Sequence, residues 1–71
     1  MSGSVYRVTE VIGTSSESWE AAAANAVATA AGTVRDLRVA EVMRQDVTIE
    51  NGAITSYRVR LGLSFKNDSG D

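Results

Sequence analysis

An α+β domain with element order β-α-β-β is what this 71-residue sequence predicts, and three observations carry the prediction. Ser15 to Ala31, SSESWEAAAANAVATAA, reads as the single helix of the chain. Leu37 to Glu50 and Ala53 to Lys66 read as two long strands joined at Asn51-Gly52, a dipeptide that favours the two-residue hairpin turn. Val5 to Ile12, VYRVTEVI, is rich in β-formers and partly alternating, and so reads as a first strand. A hairpin makes strands two and three antiparallel neighbours. Strand one then joins an all-antiparallel sheet only beside strand three. The expected sheet order is 2-3-1, wrapped around the helix on one face.

Each element has a local reason. Ser15 is the expected N-cap, its hydroxyl free to accept from an orphan amide of the first turn. Glu17 and Glu20 put negative charge near the positive end of the helix dipole. Gly32 supplies a C-terminal stop, since glycine takes the left-handed conformation without steric cost. At 100° per residue, Trp19, Ala22, Ala23, Ala26, Val27 and Ala30 form one apolar stripe. The opposite side carries Ala21, Ala24, Ala28 and Ala31, where a lone surface helix normally carries charge. Helix propensity accounts for those alanines, and so does a second surface packed against them. In the first strand Tyr6, Val8 and Ile12 lie on one side, Val5 and Val11 on the other, and Gly13-Thr14 breaks the strand before the helix. After Gly32, TVRD makes a short connection. Residues 1–71 form one domain, with 67–71 an expected disordered tail.

Two features do not suit a self-sufficient monomer. The hairpin strands far exceed the usual length of about 5–6 residues, so they must curl around the helix and overhang it. A strict two-residue turn also pairs Glu50 with Ala53, Gln45 with Arg58 and Met43 with Arg60. That sets Tyr57, Val59, Leu61, Leu63 and Phe65 beside Arg38, Arg44 and Asp46. A bulge that shifts the register resolves the conflict, and so does burial of both faces in an assembly; burial is the favoured reading, with a bulge compatible.

Composition narrows the function. A chain this short buries only about 60 % of its unfolded surface, and small domains compensate with disulfides, a structural metal or oligomerisation. There is no Cys and no His, which removes disulfides, thiolate sites and the commonest transition-metal ligand, leaving oligomerisation. The net charge of −2 and scattered basic residues give no argument for nucleic acid. No apolar run approaches the roughly 20 residues that span a bilayer, and MSGSVYRV lacks the regions of a signal peptide; the expected location is the cytoplasm. Glu41, Asp46 and Tyr57 are possible members of an acid–base set but no nucleophile arrangement accompanies them, so no enzyme is expected.

Gly13-Thr14-Ser15 opening an alanine-rich helix, then LRVAEV, then YRVRLGLSF on the last strand, resembles the dodecin family over nearly the whole chain. The resemblance implies a three-stranded antiparallel sheet wrapped around one helix, and assembly into hollow homododecamers of cubic-type symmetry. Many dodecins bind flavins for storage or protection rather than turnover. In the flavin binders a tryptophan opens the second strand in a context like L-R-W-F-E-V; here Val39 holds its place in Leu37-Arg38-Val39-Ala40-Glu41-Val42. A third-strand glutamine that bonds the polar edge of the flavin is replaced by Arg58, before Val59. Valine has no ring to stack, and arginine has five donors and no acceptor, although it can hold phosphate or carboxylate. Weak or absent binding of FMN and riboflavin is therefore expected. The missing tryptophan, with Ser18-Trp19-Glu20 and Gln45-Asp46, sets the resemblance closer to the bacterial branch known as calcium dodecins, for which a calcium-binding role has been proposed.

The candidate ligand positions are thus Val39 and Arg58, both altered, and the candidate metal ligands are Glu17 and Asp46. Each has a plainer role: packing for Val39 and Met43, an intersubunit ion pair for Arg58, dipole compensation for Glu17, solvated charge for Asp46 and Glu50. Trp19 is a core or interface residue, away from the stacking position. Ca²⁺ takes about six to eight oxygens and the chain has no D-x-D-x-D-G loop, so partial sites from symmetry copies would have to combine. The reading is a non-catalytic homododecameric shell protein that binds and sequesters a small ligand or a divalent cation, calcium among them. The alternatives are a flavin-storage dodecin using different contacts and a purely structural assembly module.

Overall fold

The computed structural model describes residue 3 and residues 5–66, so the expected tail at 67–71 lies outside the described residues. Strand β1 (Tyr6–Ser15) leads to helix α1 (Trp19–Ala31), then to strands β2 (Leu37–Glu50) and β3 (Ala53–Lys66). The sheet is antiparallel with β3 in the centre, in the order β1-β3-β2, as expected. Asn51 and Gly52 have φ of 52° and 78°, the two positive angles that a two-residue turn matched to strand twist requires.

The register departs from the strict one, and the departure decides the chemistry. Glu50 pairs with Ala53 and Ile49 with Ile54, but Thr48 then pairs with Ser56, leaving Thr55 as an extra residue in β3. From there Asp46 lies opposite Arg58 and Arg44 opposite Arg60. Met43 is an extra residue in β2, returning Val42 to Leu61, and Arg38 is another, bringing Leu37 to Phe65. Bulges therefore do much of what had been assigned to two-sided burial. Opposed residues share a face, so Tyr57, Val59, Leu61, Leu63 and Phe65 look toward the helix with Val47, Val42, Ala40 and Leu37. Arg44, Asp46, Arg58 and Arg60 are left together on the outer face.

The core is small. Val59, Leu61 and Leu63 are buried against Ala22 and Ala26, with Val11, Trp19, Ala23, Val27, Ala30 and Leu37 partly buried around them. The predicted apolar stripe is thus the packed one, while Ala24, Ala28 and Ala31 are exposed. The helix packs chiefly on β1 and β3, and the hairpin runs past it in a body of 57 × 20 × 13 Å. Near the hairpin tip, Ile49 and Ile54 are more than half exposed.

Three local readings are corrected. The N-cap is Ser18, whose Oγ accepts from Ala21 N–H, and the helix begins at Trp19. Ser15 Oγ accepts instead from Glu17 N–H ahead of the helix, and the acidic residue of the first turn is Glu20. Gly32 is right-handed, with φ of −73°; the positive angle in this connection belongs to Asp36, at 57°. Asp tolerates that conformation because its short side chain bonds locally. Gly13-Thr14 does not break the first strand, which continues to Ser15. Gly13 lies inside it, opposite Val59, where the absent side chain lets helix α1 approach.

Trp19 pins the start of the helix to the hairpin. Its indole N–H donates to the carbonyl of Asp46 at 3.1 Å, and its ring meets Tyr57 edge-on at 5.1 Å. An edge-to-face pair of this kind adds about 0.5–1.5 kcal/mol beyond buried area.

Candidate functional site on the outer face of the sheet

Alternation along three strands turns one set of side chains away from the helix. Val8 and Ile12 of β1 stand on this outer face with Val39 and Met43 of β2, and all four are about half exposed or more. Met43 lies over Gly62, its Sδ 3.2 Å from where a Cβ on that glycine would stand. Toward the hairpin tip the same face turns polar. Arg58 grips Asp46 with two bonds, Nε to Oδ1 at 2.7 Å and Nη2 to Oδ2 at 3.2 Å. Arg60 Nη1 donates to Glu10 Oε1 at 3.1 Å. Ile12, Arg44, Asp46, Arg58 and Arg60 surround a hollow of about 70 Å³.

The electrostatics follow from that crowding. The hydrogen bond from Arg58 holds the Asp46 carboxyl below its ordinary pKa, partial burial opposes the shift, and the charges of Arg58, Arg44 and Arg60 add to it. Arg58 is raised in turn, chiefly by the same bond. A carboxyl with a depressed folded-state pKa contributes stability that is full above its unfolded pKa and lost as pH falls through the folded one. The melting gap between wild type and Asp46→Asn is therefore expected to be present at neutral pH and to close below the usual carboxylate range. A gap that stays constant on acidification would show the pair to be energetically idle, as many exposed pairs are.

The sequence-predicted positions are distributed as follows. Arg58 pairs within its own chain with Asp46, the very residue singled out as a metal ligand. Val39 is opposite Ser64, six residues along β3 from Arg58; at about 3.3 Å per residue they are about 20 Å apart. One protomer does not place both on one small ligand. Glu17 is exposed and precedes the N-cap. No three carboxylates group into a metal site among the described residues. Glu41 lies opposite Gly62, Tyr57 faces the helix and Asp46 faces outward, so the three acid–base candidates do not converge.

Arg44, Arg60 and Glu10 were not among the predicted positions. The alternation of Arg58 and Arg60 was visible in the sequence, but their juxtaposition with Arg44 depends on the bulge at Thr55. A second hollow, of about 470 Å³, opens between β1 and α1 beside Phe65, where the small residues Gly13, Ala26 and Ala30 leave it unfilled.

The chain is a small α+β protein, a three-stranded antiparallel sheet around one helix with apolar and guanidinium groups on its outer face. The family model for Dodecin matches residues 5–68, and the chain belongs to the dodecin family. It is 49 % identical over 63 residues to calcium dodecin from Mycobacterium tuberculosis, covering 89 % of each chain. The structure of dodecin from Streptomyces coelicolor superimposes with a TM-score of 0.91 at 40 % identity, over 99 % of this chain and 100 % of that one. The calcium-chelating antigen calcium dodecin of M. tuberculosis, a protein with a novel calcium-binding site, gives 0.80 at 47 % identity over 94 % and 96 %. The kinship lies with the calcium dodecin branch.

Proposed function

We propose that the protein is a non-catalytic, cytoplasmic homododecamer that sequesters a small ligand or a cation, with calcium the leading ion and flavin a poor one. The observation that carries the assembly is exposed apolar surface beside a small core. Val8, Ile12, Val39, Val42, Ile49 and Ile54 are 49–65 % exposed, while the largest fully buried side chains are Leu61, Leu63 and Val59. Further copies would cover that surface and supply the stability a domain of this size lacks. The calcium part is supported by kinship with calcium dodecin, and it requires Glu17 or Asp46 to be completed by oxygens from neighbouring copies. No described helix is long and apolar enough to cross a membrane.

Native mass spectrometry of protein purified from its own host tests both parts, because it reports subunit number and bound mass together. A mass near twelve copies is expected, and a monodisperse monomer at micromolar concentration would end the assembly reading. Calcium that binds only the folded assembly raises its melting temperature. An identical melting curve in excess calcium and in chelator would leave Glu17 and Asp46 as ordinary surface charge. Flavin-loaded protein would be yellow, which separates the alternative flavin-storage reading at sight.

A further inference from the structure

We infer that the hollow between Arg44, Arg58 and Arg60 is a binding site for a tetrahedral oxyanion of the phosphate type. The register sets Arg44 directly opposite Arg60, and like charges in that relation destabilise a sheet. Local carboxylates only partly relieve this. Both oxygens of Asp46 are engaged by Arg58, and Glu10 takes one nitrogen of Arg60. Arg44 makes no ion pair among the described residues. Three guanidinium groups and one carboxylate line the hollow itself, while Glu10 and Glu41 stand farther along the same face, both opposite Gly62.

The size and walls suit such a ligand. About 10–15 Å³ of this kind of volume holds one water, so about 70 Å³ accommodates the four oxygens of one phosphate or sulfate. Ile12 supplies an apolar wall. Guanidinium forks match the oxygens of phosphate two at a time. All three arginines line the hollow together with Asp46. The same field disfavours a cation there. This inference is compatible with calcium held through Glu17 and competes with calcium held at Asp46.

The test is calorimetric titration of the assembled protein with inorganic phosphate at constant ionic strength, with chloride as the blank and glycerol 2-phosphate as a phosphate monoester. Saturable phosphate binding is expected. Arg44→Gln and, separately, Arg60→Gln are expected to weaken it about ten- to a hundredfold, the effect of losing one charged hydrogen-bonding partner. Asp46→Asn should tighten it by removing the competing carboxylate, whereas a calcium site at Asp46 would lose affinity for calcium in the same variant. Arg7→Gln, on the helix-facing side of β1 opposite Phe65, should leave phosphate affinity unchanged. Equal affinity for phosphate and the ester marks a free ion as the ligand, and tighter binding of the ester marks a larger molecule bearing the group; both support the site. Heats no larger than the chloride blank would overturn it. So would wild-type affinity in an Arg44→Gln protein of unchanged size, weaker binding after Asp46→Asn, or binding of the ester alone.

Discussion

Gly13→Ala is expected to lower the melting temperature by more than about 10 °C, or to prevent folding outright. A Cβ at Gly13 would overlap the carbonyl oxygen of Ala22 and stand 2.8 Å from the Cβ of Ala26. Neither neighbour can turn aside. One is helix backbone, and the other is a methyl group that belongs to the core. Relief therefore means moving helix α1 off β1 and β3, which uncovers Val59, Leu61 and Leu63. Overpacking typically costs about 1–3 kcal/mol, and more where backbone must shift. In a domain this small, each kcal/mol is worth about 4–8 °C. Gly52→Ala gives the scale for a purely conformational penalty. Gly52 has φ of +78° with open space around it, so the variant should lose only about 1–2 kcal/mol. A Gly13→Ala protein that melted within a few degrees of wild type would mean that the helix does not sit against β1 as described.

The second large effect is a gain. Wild type is expected to quench riboflavin and FMN fluorescence weakly, and the double change Val39→Trp with Arg58→Gln to restore binding. A lost aromatic stacking contact is worth about 0.5–1.5 kcal/mol beyond its buried area, and an unpaired polar group in a site about 1–3 kcal/mol. Together these amount to roughly one to three powers of ten in affinity. The geometry adds a condition. Because Val39 and Arg58 stand about 20 Å apart along the sheet, the restored site has to draw on more than one protomer. Quenching should therefore vanish when the assembly is dissociated. Arg58→Gln also releases Asp46, whose carboxylate then faces Arg44 and Arg60 alone. Wild type that quenched flavin at nanomolar concentration would show Val39 and Arg58 to be misassigned. A double variant of unchanged subunit number that ignored flavin would show the pocket closed by other residues.

Most of the element inventory was legible because its signals are local. Asn51-Gly52 specifies a turn through its own backbone angles, and the 37–50 and 53–66 strand bounds follow from it. The alanine-rich stripe of 19–31 declares a helix through its periodicity, and its packed side is the predicted one. With one hairpin and one leading strand, an antiparallel sheet leaves a single order, and β1-β3-β2 is that order.

What stayed hidden was whatever depends on a residue across the sheet or under the helix. Ser15 and Ser18 offer the same hydroxyl, and only the path of β1 into α1 decides that Ser18 caps the helix. Gly13 reads locally as a strand breaker, yet its use is a close approach to Ala22 and Ala26. The bulges at Thr55, Met43 and Arg38 have no signature of their own; they arise because Tyr57 to Phe65 must face the helix while the turn stays at Asn51-Gly52. One inserted residue exchanges the faces of everything beyond it. That exchange seats Asp46 on Arg58 and Arg44 against Arg60, so the charge distribution of the outer face is a property of pairing, which no single strand encodes.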